Sequence, residues 1–433
     1  MTKRGTLAAL ILLIAAHGFA QMDTVFEDIF TRILITELQL SPGAHANHFV
    51  MAAEEANSEL TPALNSLIAS QVSSFPAAST AVGVTFDFSS GQPVKVTDSQ
   101  GPVFGEIADT LGKGKLSVGI THNELSLDRL RGVSTRDVRF TFTHVDVTGD
   151  GLLGESPNES DTIDVLLDLD LNASITALYA SYGLTPNLDV GVAIPFVSVS
   201  MDGIAQATIN SYTFAFLGTA NHNFNNDPTN PQLQTTVPYS ESASGIGDVA
   251  LKLKMAFLRG GNWDLAMGVD VRLSTGDESD FLGTGDTNIR FAELLSRRFG
   301  DFRPHVNVAY EWRGADLDAD ELEFAVGFDH KATSKITIAA DFMGSFDVDD
   351  SESIQLFPGS VTITDHGTSG VVVRHVDRSN VPERSNDDVM DGSFGIRYAP
   401  KDNWSIVANL LVPLNDGGLR SKVVPTIGVS AQF

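Results

Sequence analysis

The chain has 433 residues and carries 55 Asp and Glu against 28 Lys and Arg, a formal net charge of −27. That balance excludes a basic face for nucleic acid, and the absence of cysteine excludes a disulfide framework. Beyond the first residues no apolar run approaches the roughly 18 that a membrane-crossing helix needs.

At the start, Lys3 and Arg4 precede an apolar stretch from Leu7 to Ala16, and Gly18-Phe19-Ala20 follows it. Residues 1–20 therefore read as a secretory signal peptide cut after Ala20. The stretch is too short to span a bilayer, and no cysteine follows it for lipid attachment. The next segment, 21–110, has a different character. Phe49 to Val72 is helical in composition, with Leu60, Leu64, Leu67, Ile68 and Val72 at helical spacing. A hairpin-like pair follows, AVGVTFDF and QPVKVTD, joined by Ser89-Ser90-Gly91.

From Lys113 onward the apolar period is two. Val249, Leu251, Leu253, Met255 and Phe257 alternate with Lys252 and Lys254, and Trp263, Leu265, Met267, Val269, Val271 and Leu273 alternate with Asp264, Asp270 and Arg272. Val306, Val308, Tyr310 and Trp312 alternate with His305, Asn307 and Glu311, and Leu322, Phe324, Val326 and Phe328 with Glu323 and Asp329. About ten residues is the length at which a tilted strand crosses a bilayer. The connections alternate too: short at 185–189, 258–262, 300–301, 331–335 and 399–403, long at 201–245, 275–286, 313–320, 348–388 and 414–421. Outer-membrane barrels sort their turns in this way, and a soluble sandwich has no reason to.

Aromatic residues give an independent signal. Phe257, Trp263, Phe299, Phe302, Tyr398, Trp404 and Phe433 all fall at the short-turn ends of their segments, where rings occupy one membrane interface, and Tyr310 and Trp312 fall near the other end. The last segment, KVVPTIGVSAQF, alternates down to Phe433. That ending resembles the signal by which outer-membrane barrels are read by the barrel assembly machinery. Thirteen segments are countable, including 135–147, and barrels of this kind have even numbers. The predicted fold is all-β: an antiparallel transmembrane β-barrel of 12–14 strands over 111–433, with a partly helical N-terminal segment. That segment is expected to plug the lumen, to dock below it on the periplasmic side, or to pack on its surface. Glu293, which shares a face with Ile289 and Phe291, predicts a bulge or an inward register shift.

With the outward faces committed to lipid, function falls to the inward ones. Symmetry about the turn at 258–262 sets Asp248 opposite Arg272 and Lys252 diagonal to Asp270. Lys254, Arg290, Arg303, His305, Glu311, Asp329, Lys335 and Asp341 complete a lumen of both signs. Such an interior suits a wetted or plugged passage without strong ion preference, or a salt-bridged filling that only closes the barrel.

The stretches SSFPAASTAVGVTFDF, GPVFGEIADTLGKGKLSVGI and GIGDVALKLK…VRLSTGDESDFLGTGDTNIR resemble a family of bacterial outer-membrane proteins described as transporters, or as similar to the protein of the MetA pathway (meta-pathway) of phenol degradation. Its architecture is distantly akin to the long-chain fatty-acid transporter barrels. The resemblance spans most of 73–300 and the last strand, and it departs at Ser274, where proline is common before Thr275-Gly276-Asp277. It implies passive uptake of small hydrophobic or aromatic molecules across the outer membrane of a Gram-negative cell.

The remaining motifs carry little chemistry. Asp146-Val147-Thr148-Gly149-Asp150-Gly151 has the spacing of a calcium loop, but its twelfth position is Pro157, which offers no carboxylate. Acidic long loops with Asp316, Asp318, Asp320, Glu321, Asp347, Asp349, Asp350 and Glu352 either bridge cations to lipopolysaccharide phosphates or are simply solvated. The local residue patterns of outer-membrane phospholipases and proteases are missing. Gly245-Ile246-Gly247-Asp248 and Gly283-Thr284-Gly285-Asp286 precede no helix, so phosphate binding is not expected. Ten scattered histidines without cysteine do not mark a metal site. The expectation is thus a channel or transporter without catalytic residue, cofactor or metal. Its partners would be outer-membrane lipid, lipopolysaccharide, the assembly machinery and a small solute, with no nucleic acid. The alternative is a structural or surface-binding barrel with a blocked lumen and acidic cation-binding loops.

Overall fold

The computed structural model describes residues 21–40, 48–73, 104–154, 157–260, 263–314, 319–348, 354–367, 370–401 and 403–433, with two-residue strands at 86–87 and 94–95. Residues 1–20, expected to be a signal peptide, and the acidic residues Asp316, Asp318, Asp349, Asp350 and Glu352 lie outside the described residues. Among the described residues no helix is long and apolar enough to cross a membrane.

Twelve antiparallel strands form a closed ring: β1 (Leu116–Leu130), β2 (Thr162–Thr185), β3 (Leu188–Asn210), β4 (Val249–Leu258), β5 (Asp264–Leu273), β6 (Asn288–Ser296), β7 (Phe302–Trp312), β8 (Glu321–Lys331), β9 (Ile336–Asp347), β10 (Val389–Tyr398), β11 (Trp404–Pro413) and β12 (Val424–Gln432). The last meets the first, from Thr426 opposite Asn123 to Gln432 opposite Ser117. Leu116 and Phe433 then exchange backbone hydrogen bonds of 2.9 and 2.8 Å. The alternating final segment is held because it completes the ring.

Faces sort as a bilayer requires. Leu251, Val308 and Phe433 are 46%, 46% and 66% exposed on the outside, whereas the inward His305 and Asp329 are 0% exposed. Phe257, Trp263, Phe299, Phe302, Tyr398, Trp404 and Phe433 all project outward at the short-turn end. The Arg297 guanidinium lies over the Trp263 and Phe299 rings, 5.4 and 4.4 Å from their centroids, which suits a cation at a membrane interface.

Two expectations need correction. Segment 135–147 contributes only Val138–Thr143, which pairs with the distal part of β2 and not with the ring, so the count is even. Glu293 causes neither bulge nor slip: it pairs in register with Met267 and Val308 and stays on the outer face. Much of the long connection 201–245 is strand as well. The distal half of β3 pairs with Gln234–Ile246, so the β2–β3 hairpin rises well beyond the ring.

This raised sheet carries the N-terminal segment. Helices α1 (Val25–Thr31), α2 (Val50–Glu55) and α3 (Thr61–Ser73) share one buried apolar cluster with Phe140, Ile163, Val165, Met201 and Ile209. Phe30 packs against Phe140 and Phe142 at centroid distances of 6.4 and 5.6 Å. The helices therefore cap the long-loop end, the opposite end from a periplasmic dock. Leu60, Leu64, Leu67, Ile68 and Val72 are all buried, as their spacing predicts. The pair at 86–95 does form, as Phe86–Asp87 on Val94–Lys95.

Lipid exposure sets the cost of charge. Val326→Arg, at the middle of β8, should destabilise the barrel by about 2–4 kcal/mol, and Leu414→Arg, just beyond β11, by about 0–1 kcal/mol. Urea-induced unfolding from lipid vesicles measures both, and equal losses would refute the assignment of the belt.

Candidate functional site

Inward side chains of β4 to β7 are small at one level: Ala256, Ala266, Ala292 and Ala309 form a groove, with Leu294 beside them. Ala108 fills that groove, because residues 104–111 thread through the lumen there. The thread is tied along its length. The Glu106 N–H donates to Asn307 Oδ1 and Asn307 Nδ2 returns a bond to the Glu106 carbonyl, both at 2.7 Å. The Ala108 N–H reaches Ser296 Oγ at 3.2 Å, and the Leu111 N–H reaches Asp189 Oδ2 at 2.7 Å. Lys254 donates to the Ile107 carbonyl and pairs with Glu106 at 3.5 Å. Arg303 pairs with Asp109 at 2.7 Å. A side chain on Gly105 would begin 2.4 Å from His305 Nε2, so only glycine passes that point. His305 is itself held by Asp341 at 2.7 Å. Among the described residues, this thread occupies the short-turn half of the lumen.

Above this closure lies a chamber of about 350 Å³. One wall is a charged ladder across β4 to β8. Lys252 meets Asp270 at 3.7 Å, Arg290 bridges Asp270 at 3.2 Å and Glu323 at 2.8 Å, and Arg272 meets Glu311 at 3.6 Å. Arg313 closes the ladder on Glu311 at 3.5 Å and Glu321 at 2.7 Å. Four cations face four anions. The other side mixes apolar residues, Leu67 and Val72 of α3, Ile175, Val197, Leu411 and Val424, with polar ones, Asn123, Ser421 and the Arg420–Asp391 ion pair. The roof is fastened by Arg131, which grips Asp387 through Nε and Nη2 at 2.9 and 2.8 Å. Asp387 Oδ1 also accepts the Gly418 N–H at 2.9 Å.

Of the expected inward residues, Lys252, Asp270, Arg272, Arg290 and Glu311 lie along the chamber, and Lys254, Arg303, His305, Asp329 and Asp341 lie at the level of the thread. Two others differ. Lys335 precedes β9 in an exposed turn at the rim, where its carbonyl still accepts the Ala399 N–H at 2.8 Å but its side chain is exposed. Asp248 also lines the chamber, but it is not opposite Arg272. The β4–β5 ladder runs two residues away from symmetry about 258–262, so that Ala250 faces Arg272 and Lys252 faces Asp270, with a one-residue bulge between Ala256 and Leu258 near the turn. Asp248 instead folds the loop above it, accepting N–H groups of Thr275 at 3.0 Å, Gly276 at 2.9 Å and Thr284 at 2.9 Å. Asp146 likewise spends its carboxylate on its own loop, accepting from Gly149 at 2.7 Å and Gly151 at 2.6 Å.

Arg313 extends the ladder though its position beyond strand β7 gave no inward signal. The histidines hold a second omission. His48, His144 and His222 are far apart in sequence but meet as a buried trio in the cap. No periodicity links them, since one precedes α2, one follows the strand Val138–Thr143 and one lies in the two-residue strand His222–Asn223.

The ladder predicts a measurable coupling. Arg290→Met leaves Asp270 and Glu323 without their shared cation and should cost about 1–3 kcal/mol, moderated because the chamber admits water. Adding Asp270→Asn and Glu323→Gln should recover most of that loss in urea unfolding. Additive losses across the three changes would show that the ladder is not a unit.

No curated protein sequence matches the chain. Among solved structures it is similar to an outer membrane channel from Pseudomonas putida F1, at 10% identity over 75% of this chain and 98% of that one, with a TM-score of 0.40. It is similar to the NanC porin at 11% identity over 68% and 98%, TM-score 0.34, and to a mutant of the TodX monoaromatic hydrocarbon channel at 10% identity over 74% and 90%, TM-score 0.33. Scores of this size decide nothing about solute or mechanism. A family model does match over residues 154–418, more than half of the chain, and on that match the protein belongs to the family described as "Putative MetA-pathway of phenol degradation".

Proposed function

We propose that this protein is an outer-membrane channel that admits small hydrophobic or aromatic molecules passively, without a catalytic step. The observation that carries the reading is the chamber: about 350 Å³ of space inside a transmembrane barrel, with a neutralised charge ladder on one side and apolar residues interspersed with paired polar ones on the other. Small-molecule sites occupy clefts of about this size, mostly apolar with a few placed polar groups. A molecule with an apolar ring and one polar edge matches both walls. Ions gain little there, because each ladder charge already has its partner.

Passage then depends on the thread at 104–111, which must leave its alanine groove before the chamber communicates with the short-turn side. The same closure favours a second reading, a structural barrel whose lumen never opens. Under either reading the outward belt meets outer-membrane lipid and lipopolysaccharide. The alternating strand ending at Phe433 is what the assembly machinery engages, and residues 1–20 direct export.

The chain contains no native cysteine, so an engineered pair reports cleanly. Ala108→Cys with Ala292→Cys should form a disulfide that blocks uptake of phenol or toluene by cells, and reductant should restore it. Gly105→Leu, which drives the thread off His305, should raise conductance in planar bilayers. Uptake that is the same in oxidised, reduced and gene-deleted cells would discard the channel reading and leave the structural one.

A further inference from the structure

His48, His144 and His222 are 3%, 2% and 0% exposed, and one nitrogen from each lies within 4.8 Å of the others. His48 Nδ1 and His222 Nε2 are 3.2 Å apart. Two imidazoles on one tetrahedral zinc, each about 2.0–2.1 Å from the metal, place their nitrogens at nearly that separation. A direct hydrogen bond between these two rings would account for the same distance. It would leave the third ring unexplained: His144 Nε2 is buried and has no hydrogen-bond partner among the described residues.

The far side of each of two rings is fixed in the manner of a metal ligand. The Asp161 carboxylate accepts from His222 Nδ1 at 2.8 Å, and the Val145 carbonyl accepts from His144 Nδ1 at 2.6 Å. Those bonds put the proton on Nδ1 and turn the Nε2 lone pair toward the cluster. Asp161 is wholly buried and is itself held by the Tyr212 N–H at 2.7 Å. Phe49 stands edge-on to His144 and His222, with centroids 5.6 and 5.3 Å away, and keeps water out.

Three imidazole nitrogens with no thiolate and no carboxylate in the inner set suit a borderline divalent cation and not calcium or magnesium, which take oxygen. We propose that His48, His144 and His222 form a three-histidine site for a zinc-class divalent cation, oriented by Asp161, with a fourth position left for solvent or another ligand. The site fastens the N-terminal segment to the loop after Val138–Thr143 and to the excursion between β3 and Gln234–Ile246. It stands apart from the lumen and does not depend on what the channel carries.

The test uses the full-length protein in detergent, stripped with chelator and dialysed against zinc. One zinc per chain is expected. His144→Ala and His222→Ala should each weaken binding by at least about 100-fold, and Asp161→Asn by about 10–100-fold. His375→Ala, a ring on the exposed hairpin bonded to Thr362, should change nothing. Heat-modifiable gel migration checks that each variant retains its barrel. Cobalt in place of zinc should give the intense visible bands of tetrahedral nitrogen ligation, and zinc should slow amide exchange in α2 and at 220–223. Failure of the wild-type protein to retain zinc would overturn the proposal. So would full binding in a folded His144→Ala variant, which would move the metal to Glu311, Glu321 and Glu323.

Discussion

Hydrocarbon offers a peptide group no hydrogen-bond partner, and that single constraint organises the molecule. Every strand within the bilayer must find its partners in the protein, so the sheet has to close. The pairing of β12 with β1 is therefore the condition on which the other eleven strand pairs depend. Closure also inverts the usual arrangement of a folded chain. The apolar residues that would form a core face outward, and the polar residues that would face water are enclosed.

Enclosed polarity needs partners of its own, and the protein supplies them in two ways. In the lower lumen a stretch of extended chain gives its backbone groups to Asn307, Ser296 and Asp189, as an extra strand would. In the upper lumen charge is set against charge across five adjacent strands, from Lys252 to Glu323. The first arrangement leaves no space and the second encloses the chamber. Which level of the barrel is open is thus decided by the size of inward side chains: alanine on four strands admits the thread, and long charged residues exclude it.

Much of this was legible in the sequence, for a physical reason. A strand wetted by lipid on one side and enclosed on the other must alternate, so Leu251, Val326 and their counterparts announced ten-residue strands, and the aromatic rows announced which ends were alike. Where both faces are polar the signal vanishes. Gln234–Ile246 reads as loop because nothing apolar repeats in it, and its strand character comes from pairing with β3. The β4–β5 ladder pairs two residues away from symmetry about 258–262, an offset with no sequence mark, which is why Asp248 was set opposite the wrong partner. Val25, Phe26, Ile29, Phe30, Ile33 and Leu34 do repeat at helical spacing, so the first helix was readable in principle. The histidine trio was not, since it exists only once three distant segments have been folded onto the raised hairpin.

The alanine groove has a geometric consequence. It runs along one side of the cylinder, on β4 to β7, and is as wide as a single extended chain. Withdrawing residues 104–111 would uncover an eccentric, methyl-lined slot, with the rest of the cross-section still occupied by Arg303, His305, Asp329 and Asp341. Anything descending from the chamber would slide edge-first along that wall, so flatness, more than overall bulk, would decide what fits.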